Sequence, residues 1–155
     1  MKQTWLLLVL WMGLQGLYAQ KITRELEAFK ELKAFDGLSV NLIRSDVNKA
    51  VIAGANTEKV AIVNNDGVLK IRMEIDMIFA GYRTFIDLYY TDPLVVIDVN
   101  EDARITSSGV IKQGVLELKA QEGGELQIQA EVEQLLIKAV TGGIITANGV
   151  SHNQD

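Results

Sequence analysis

The residues with the best claim to chemistry are carboxylates. Asp98-Val99-Asn100-Glu101-Asp102 sets side-chain oxygens at alternate positions, as the start of a calcium loop does. An EF-hand then needs Gly at the sixth position and Glu at the twelfth, where this chain has Ala103 and Gly109. The run is therefore expected to be a solvated corner, with Arg104 near enough to neutralise one carboxylate. Asp98 and Asp102, Glu122 and Glu125, and Glu131 and Glu133 form further pairs. A glycosidase needs two carboxyls across a cleft, which closeness in sequence does not supply. Ser107-Ser108-Gly109 lacks the elbow pattern of a hydrolase and is expected to be a turn. His152 is the single histidine, so no zinc site can form around it, and it is expected in a solvated tail. Tyr82, Tyr89 and Tyr90 could stack on sugar rings. Tyr89 and Tyr90 are adjacent on a predicted strand, so one should face the core and one the solvent. Met73 to Tyr82, with Met77, Ile78 and Phe79 together, is expected to be buried under a loop; an exposed partner patch is the alternative. The residues assign no catalytic, cofactor or metal site and name no ligand.

The composition sets the class. The chain has 155 residues, 15 Lys+Arg against 20 Asp+Glu, a net charge of −5, and no Cys. A disulfide scaffold, a thiolate metal site and a cysteine nucleophile are excluded. The acidic balance excludes a nucleic-acid partner, which requires a basic surface facing phosphates. With 48% apolar and 23% charged residues the chain is too hydrophobic for disorder.

Residues 1–19 read as a secretory signal peptide. Lys2 is the positive start, Trp5 to Leu14 the apolar run, and Ala19 the small residue before cleavage. The run is short for a membrane span of about 20 residues, so no stable span follows cleavage. An uncleaved anchor is the competing interpretation. Cleavage removes Lys2 and both Trp residues, leaving 14 Lys+Arg against 20 Asp+Glu, a charge of −6 over residues 20–155.

The elements that must position the candidate residues are strands. Thr23 to Leu32 alone offers helical spacing, and it serves equally as a lead-in to the first strand. From Phe35 the period is two. Val60 to Asn65 and Val68 to Met73 flank Asp66-Gly67, a hairpin signal. Thr84 to Thr91 is another strand, and Pro93, the single proline, is expected at a strand start. The first half is expected to be antiparallel hairpins.

The second half repeats. Leu116-Glu117-Leu118-Lys119-Ala120 precedes Gly123-Gly124, and nineteen residues later Leu135-Leu136-Ile137-Lys138-Ala139 precedes Gly142-Gly143. A weaker copy runs from Val95 to Ser107. A period of about 20 residues of short strands with glycine corners predicts a solenoid, in which each coil buries its edge against the next. An antiparallel sandwich is the alternative. The last coil ends without an apolar or helical cap, which predicts a C-terminally truncated chain; capping by the last residues, or pairing with another chain, would also answer the open edge.

These motifs resemble the head GIN domain of the auto-transporter adhesins, exported proteins of Gram-negative bacteria. The likeness is carried by Phe29, by Ala34-Phe35-Asp36-Gly37-Leu38-Ser39-Val40-Asn41-Leu42, by Val51-Ile52-Ala53-Gly54 with Val60, and by Gly67-Val68-Leu69-Lys70-Ile71. The two glycine-doublet coils complete it. It runs from about Phe29 to the end. The resemblance implies an all-β fold, hairpins leading into a short right-handed β-helix-like solenoid, at or outside the cell envelope and without enzyme activity. No translocating barrel is present in the sequence, so the transporter half of the name is not implied.

The expected function is therefore that of an exported, adhesin-like binding domain of the periplasm, outer-membrane surface or medium. Its expected partner is a cell-surface glycan or protein. The rivals are an enzyme acting on polysaccharide along the solenoid face, and an assembly module that oligomerises through its C-terminal coil.

Overall fold

Alternation of apolar and polar side chains shapes every element. In Val68–Met73, Leu69, Ile71 and Met73 point to the core while Lys70 and Arg72 face solvent. The computed structural model describes residues 21–155, so the signal peptide expected over 1–19 lies outside the described residues. The described chain is all-β, as predicted. Its strands are β1 Ile22–Glu25, β2 Glu31–Ala34, β3 Ser39–Arg44, β4 Lys49–Gly54, β5 Val60–Asn65 and β6 Val68–Met73. They continue with β7 Thr84–Tyr90, β8 Val96–Val99, β9 Arg104–Ala120, β10 Glu125–Ala139 and β11 Ile144–Gln154. Among the described residues no helix is long and apolar enough to cross a membrane.

Thr23 to Leu32 is not a helix. β1 pairs antiparallel with β4, and β2 is held between β6 and β8. Pairing on both sides of β2, together with burial of Phe29 and Leu32, overrides the local helical spacing.

The expected series of antiparallel hairpins is found once. β5 and β6 pair antiparallel around Asp66-Gly67, with φ of 51° and 86°. Elsewhere the first half is mixed. β3 and β4 do not pair; β7 lies between them, antiparallel to β4 and parallel to β3. β2 is parallel to both β6 and β8. Turn residues reverse or bend the chain, but they do not choose the neighbour. Pro93 lies in the loop before β8 rather than at its first residue.

The repeat appears as stacked parallel strands. Leu116 is opposite Leu135 and Ala120 opposite Ala139. Val99 is opposite Ala120 in the weaker copy. Between Gln127 and Gln129 the register shifts from an offset of 21 residues to one of 19. The extra residues on β9 include Ser107-Ser108-Gly109, so this triplet is a bulge and not a turn. An additional rung, not recognised in the repeat, lies upstream: Leu32 is opposite Ile97 and Ser39 opposite Arg104.

The corners are one structure used four times. Leu38, Ala103, Gly124 and Gly143 each donate N–H to the carbonyl three residues earlier, at 3.3, 3.0, 2.9 and 2.9 Å. The two central residues of each turn have positive φ: Asp36-Gly37, Glu101-Asp102, Glu122-Gly123 and Thr141-Gly142. This is the left-handed two-residue turn that favours Gly, Asp and Asn. The corners also bond to each other. Gly37 N–H donates to Glu101 O at 2.8 Å, Asp102 N–H to Glu122 O at 3.0 Å, and Gly123 N–H to Thr141 O at 3.2 Å. All eleven strands join one sheet, and its inward faces share one core.

β11 continues through Gln154, paired with Leu135 of β10. His152 is solvent-exposed, as expected, but on a strand rather than in a tail.

Candidate functional site

A concavity lies where the β5–β6 hairpin meets the first two corners. It is a cleft of about 420 Å³, walled by Phe35, Val63, Ile78 and Phe79 and carrying Lys70, Arg72, Asp36 and Glu101. The strands fix its floor. Val63 is opposite Lys70 across β5 and β6, and Lys70 is opposite Lys33 of β2. One residue beyond β2, Phe35 donates N–H to Ile71 O at 3.1 Å, which sets its ring beside Arg72.

The roof is the segment between β6 and β7. It leaves the sheet through two tight turns, Ile75–Met77 and Gly81–Arg83. Burial was expected here; the segment instead projects apolar side chains into solvent. Ile75 is 89% exposed, and Ile78 and Phe79 are each 53% exposed, while Met77 alone of the cluster packs partly on the core. The tight turns keep too little chain near the sheet to fold these side chains under it. The segment is nevertheless held. Asp36, only 3% exposed, accepts hydrogen bonds from Met73 N–H at 3.0 Å and Phe79 N–H at 3.2 Å. Gly81 N–H donates to Asp36 O at 2.9 Å, and Tyr82 Oη donates to Asp102 Oδ2 at 2.9 Å. Phe79 sits at φ 60°, a conformation costly for an aromatic residue. At the base, Lys59 pairs with Asp76 at 2.8 Å and Glu74 at 3.2 Å.

Burial holds the Glu101 carboxyl above its ordinary value of 4.5, helped by the neighbouring carboxyls of Asp36 and Glu122. A carboxyl raised in the folded state contributes stability below its unfolded value, and that stability is lost as pH rises through the folded value. Glu101→Gln is therefore expected to raise Tm at pH 7, with the gain shrinking as pH falls toward 4. A thermal-melt series from pH 4 to 8 measures it; a variant with equal or lower Tm at pH 7 would contradict the raised value.

The fold is shared with known proteins. The family model described as "Putative auto-transporter adhesin, head GIN domain" matches residues 28–155. The chain belongs to that family. A search of curated proteins finds no match. Among solved structures, a "putative adhesin" of Bacteroides fragilis aligns with a TM-score of 0.78 at 12% identity, covering 90% of this chain and 66% of that one. A "putative adhesin" of Parabacteroides merdae aligns at 0.62 and 17% identity, covering 87% and 56%. A "putative lipid binding protein" of Parabacteroides distasonis aligns at 0.65 and 16%, covering 88% and 62%. At these identities the likeness is one of fold, and the chain spans 56 to 66% of the length of these three structures.

The remaining sequence candidates of this GIN domain do not converge. Asp98 has 7% of its side chain exposed, pairs with Lys33 at 3.7 Å and accepts from Asn100 Nδ2 at 3.2 Å. Asp102 is engaged with Tyr82, at the other side of the corner. Among the described residues no three His, Cys, Asp or Glu side chains are placed to hold a metal. Arg104 does not neutralise the Asp98–Asp102 run; it pairs with Glu125 at 2.7 Å, its partner in register. Glu131 pairs with Lys112 at 2.7 Å. Glu131, Glu133 and His152 share a shallow recess of about 310 Å³ on β10 and β11. Ser107 Oγ accepts from Gln129 N–H at 2.9 Å and Ser108 Oγ donates to Asn41 Oδ1 at 2.7 Å, so both hydroxyls tie the bulge to neighbouring strands. Tyr90 is buried, and Tyr89 is half-buried with the Lys49 ammonium 4.7 Å over its ring. Tyr82 is exposed and packs one edge against Gly37. The sequence attaches no ligand chemistry to the cleft residues Phe35, Lys70 and Arg72; alternation within β6 marks Lys70 and Arg72 only as solvent-facing.

Proposed function

We propose that residues 20–155 form an exported, non-enzymatic binding domain of adhesin type, acting at the cell surface or in the periplasm. In this reading the stacked rungs are a short right-handed β-solenoid, and its outer strand face is the binding surface. One observation carries the proposal. An apolar segment is held out over a cleft by a buried carboxylate, with Phe79 in a costly conformation, where burial would cost less. Aromatic faces beside Lys70 and Arg72 suit a glycan, which offers apolar ring faces and polar edges. Family membership supports adhesion. Of the carboxylates that are paired in the sequence, Asp98, Glu125 and Glu131 are held in ion pairs and Asp102 accepts from Tyr82. A glycan array run with matched hydrolysis assays tests the reading: retained glycan without product is expected, and product release would overturn it.

A second reading has its own observation. Among the described residues β11 pairs with β10 alone, and its other edge exposes Ile144 and Val150. Such an edge templates pairing with another chain. Light scattering on residues 20–155 and on Val150→Pro decides it: an oligomer lost in the variant supports assembly, and monomers in both reject it.

A further inference from the structure

The outer face of the strands flanking the cleft carries one row of side chains set by register. Lys70 is opposite Lys33, Lys33 opposite Asp98, Asp98 opposite Lys119, and Lys119 opposite Lys138. Four lysines thus line up perpendicular to the strands in a chain whose net charge is −5. The row spans four inter-strand spacings, or about 19 Å at ~4.8 Å each. Charges inside it are partly compensated. Lys33 pairs with the recessed Asp98 at 3.7 Å, and Lys119 pairs with Glu117 at 3.1 Å. Glu31 lies beside Lys33 on β2. The ends are different. Among the described residues Lys138 at one end, and Lys70 with its neighbour Arg72 at the other, have no ion pair. Each end is concave: the cleft lies at Lys70 and Arg72, and a recess of about 200 Å³ lies at Lys138 and Lys119.

We infer that this face binds a linear acidic polysaccharide, laid across the rungs from Lys138 to Lys70 with its carboxylates on the ammonium row. The inference rests on the glycan-binding reading above and specifies its ligand class. The match is one of charge and of period. The inter-strand spacing is close to the length of one pyranose residue in a linear chain, so uronate residues meet the four lysine rungs, while the rung between Lys33 and Lys119 carries the recessed Asp98 already paired with Lys33. Phe35 and Phe79 then cover a ring face at the cleft end, and the Arg72 guanidinium takes a carboxylate with two parallel N–H bonds. A neutral glycan gains the stacking but not the row.

Calorimetric titration of residues 20–155 with oligogalacturonates of two to eight sugars, against neutral dextran oligomers of equal length, tests this. Affinity is expected to rise with length and level off at about four or five sugars, the span of the row, and to fall as salt is raised. Lys70→Gln with Arg72→Gln should weaken the longer oligogalacturonates about tenfold or more, the scale of one lost charge-assisted hydrogen bond. Lys138→Gln, far from the cleft, should weaken the long oligomers and leave the dimer unchanged. Unaltered Tm verifies the fold of each variant. Equal affinity for dextran, or indifference of the long oligomers to Lys138→Gln, would overturn the inference while leaving the glycan reading intact. Absence of binding to any glycan, neutral or acidic, removes both.

Discussion

Gly124→Ala is expected to cost the fold about 2 kcal/mol, the scale of an overpacked interior, and to lower Tm by roughly 6 °C. A Cβ on Gly124 would lie 2.6 Å from the Val99 carbonyl oxygen, 2.8 Å from its carbon and 3.0 Å from Gln121 O. These are backbone atoms of the preceding rung and of the corner itself. They cannot swing aside as a side chain would, because β8, which carries Val99, is bonded on both flanks, to β2 and to β9. Gly109→Ala is the matched control. Nothing lies within 4 Å of its added Cβ, so the change should stay within about 0.5 kcal/mol. If both variants melt with the parent chain, the rungs are not as close as described.

Leu118→Ala should cost more, about 3 kcal/mol, as a fully enclosed Leu truncated to Ala does. Leu118 is 0% exposed and stands in register between Ile97 on one rung and Ile137 on the next. Its removal opens a void bounded by strands that are fixed by their own ladders, so collapse into it is limited. Urea unfolding of the variant and of Val115→Ala, on the exposed side of the same strand, separates the two faces. A loss for Leu118→Ala no greater than for Val115→Ala would contradict its inward placement.

The strand content and the two glycine-doublet corners were legible because alternation and a shared Gly position survive in a single sequence. The upstream corner was hidden. Phe35-Asp36-Gly37-Leu38 and Gln121-Glu122-Gly123-Gly124 have the same backbone, yet they share only the left-handed pair, and that pair is also what closes the true hairpin at Asp66-Gly67. A type of turn does not say whether the strands it joins will pair with each other or with the rungs above and below. The pairing of β3 with β7 and β9 is decided by core packing at a distance, which local pattern does not encode. The cleft was hidden for a related reason. Met77, Ile78 and Phe79 read as core by hydrophobicity, and the exposure of Ile78 and Phe79 follows from Asp36, some forty residues away, capturing Phe79 N–H. The lysine row is invisible in the sequence for the same cause: its members come from four separate strands and meet only through register.

The order in which neighbours are supplied differs between the two halves. β2 and β3 receive their parallel partners from residues 68–90 on one side and 96–107 on the other. A chain growing from its N-terminus holds these two strands unsatisfied until most of a hundred residues have appeared, and closing such long loops is entropically slow. From β9 onward each strand lies against the one just completed. Closure of the first half around β2 and β3 is therefore expected to limit the folding rate. The second half then grows by templated addition, one rung at a time, on an edge already in place.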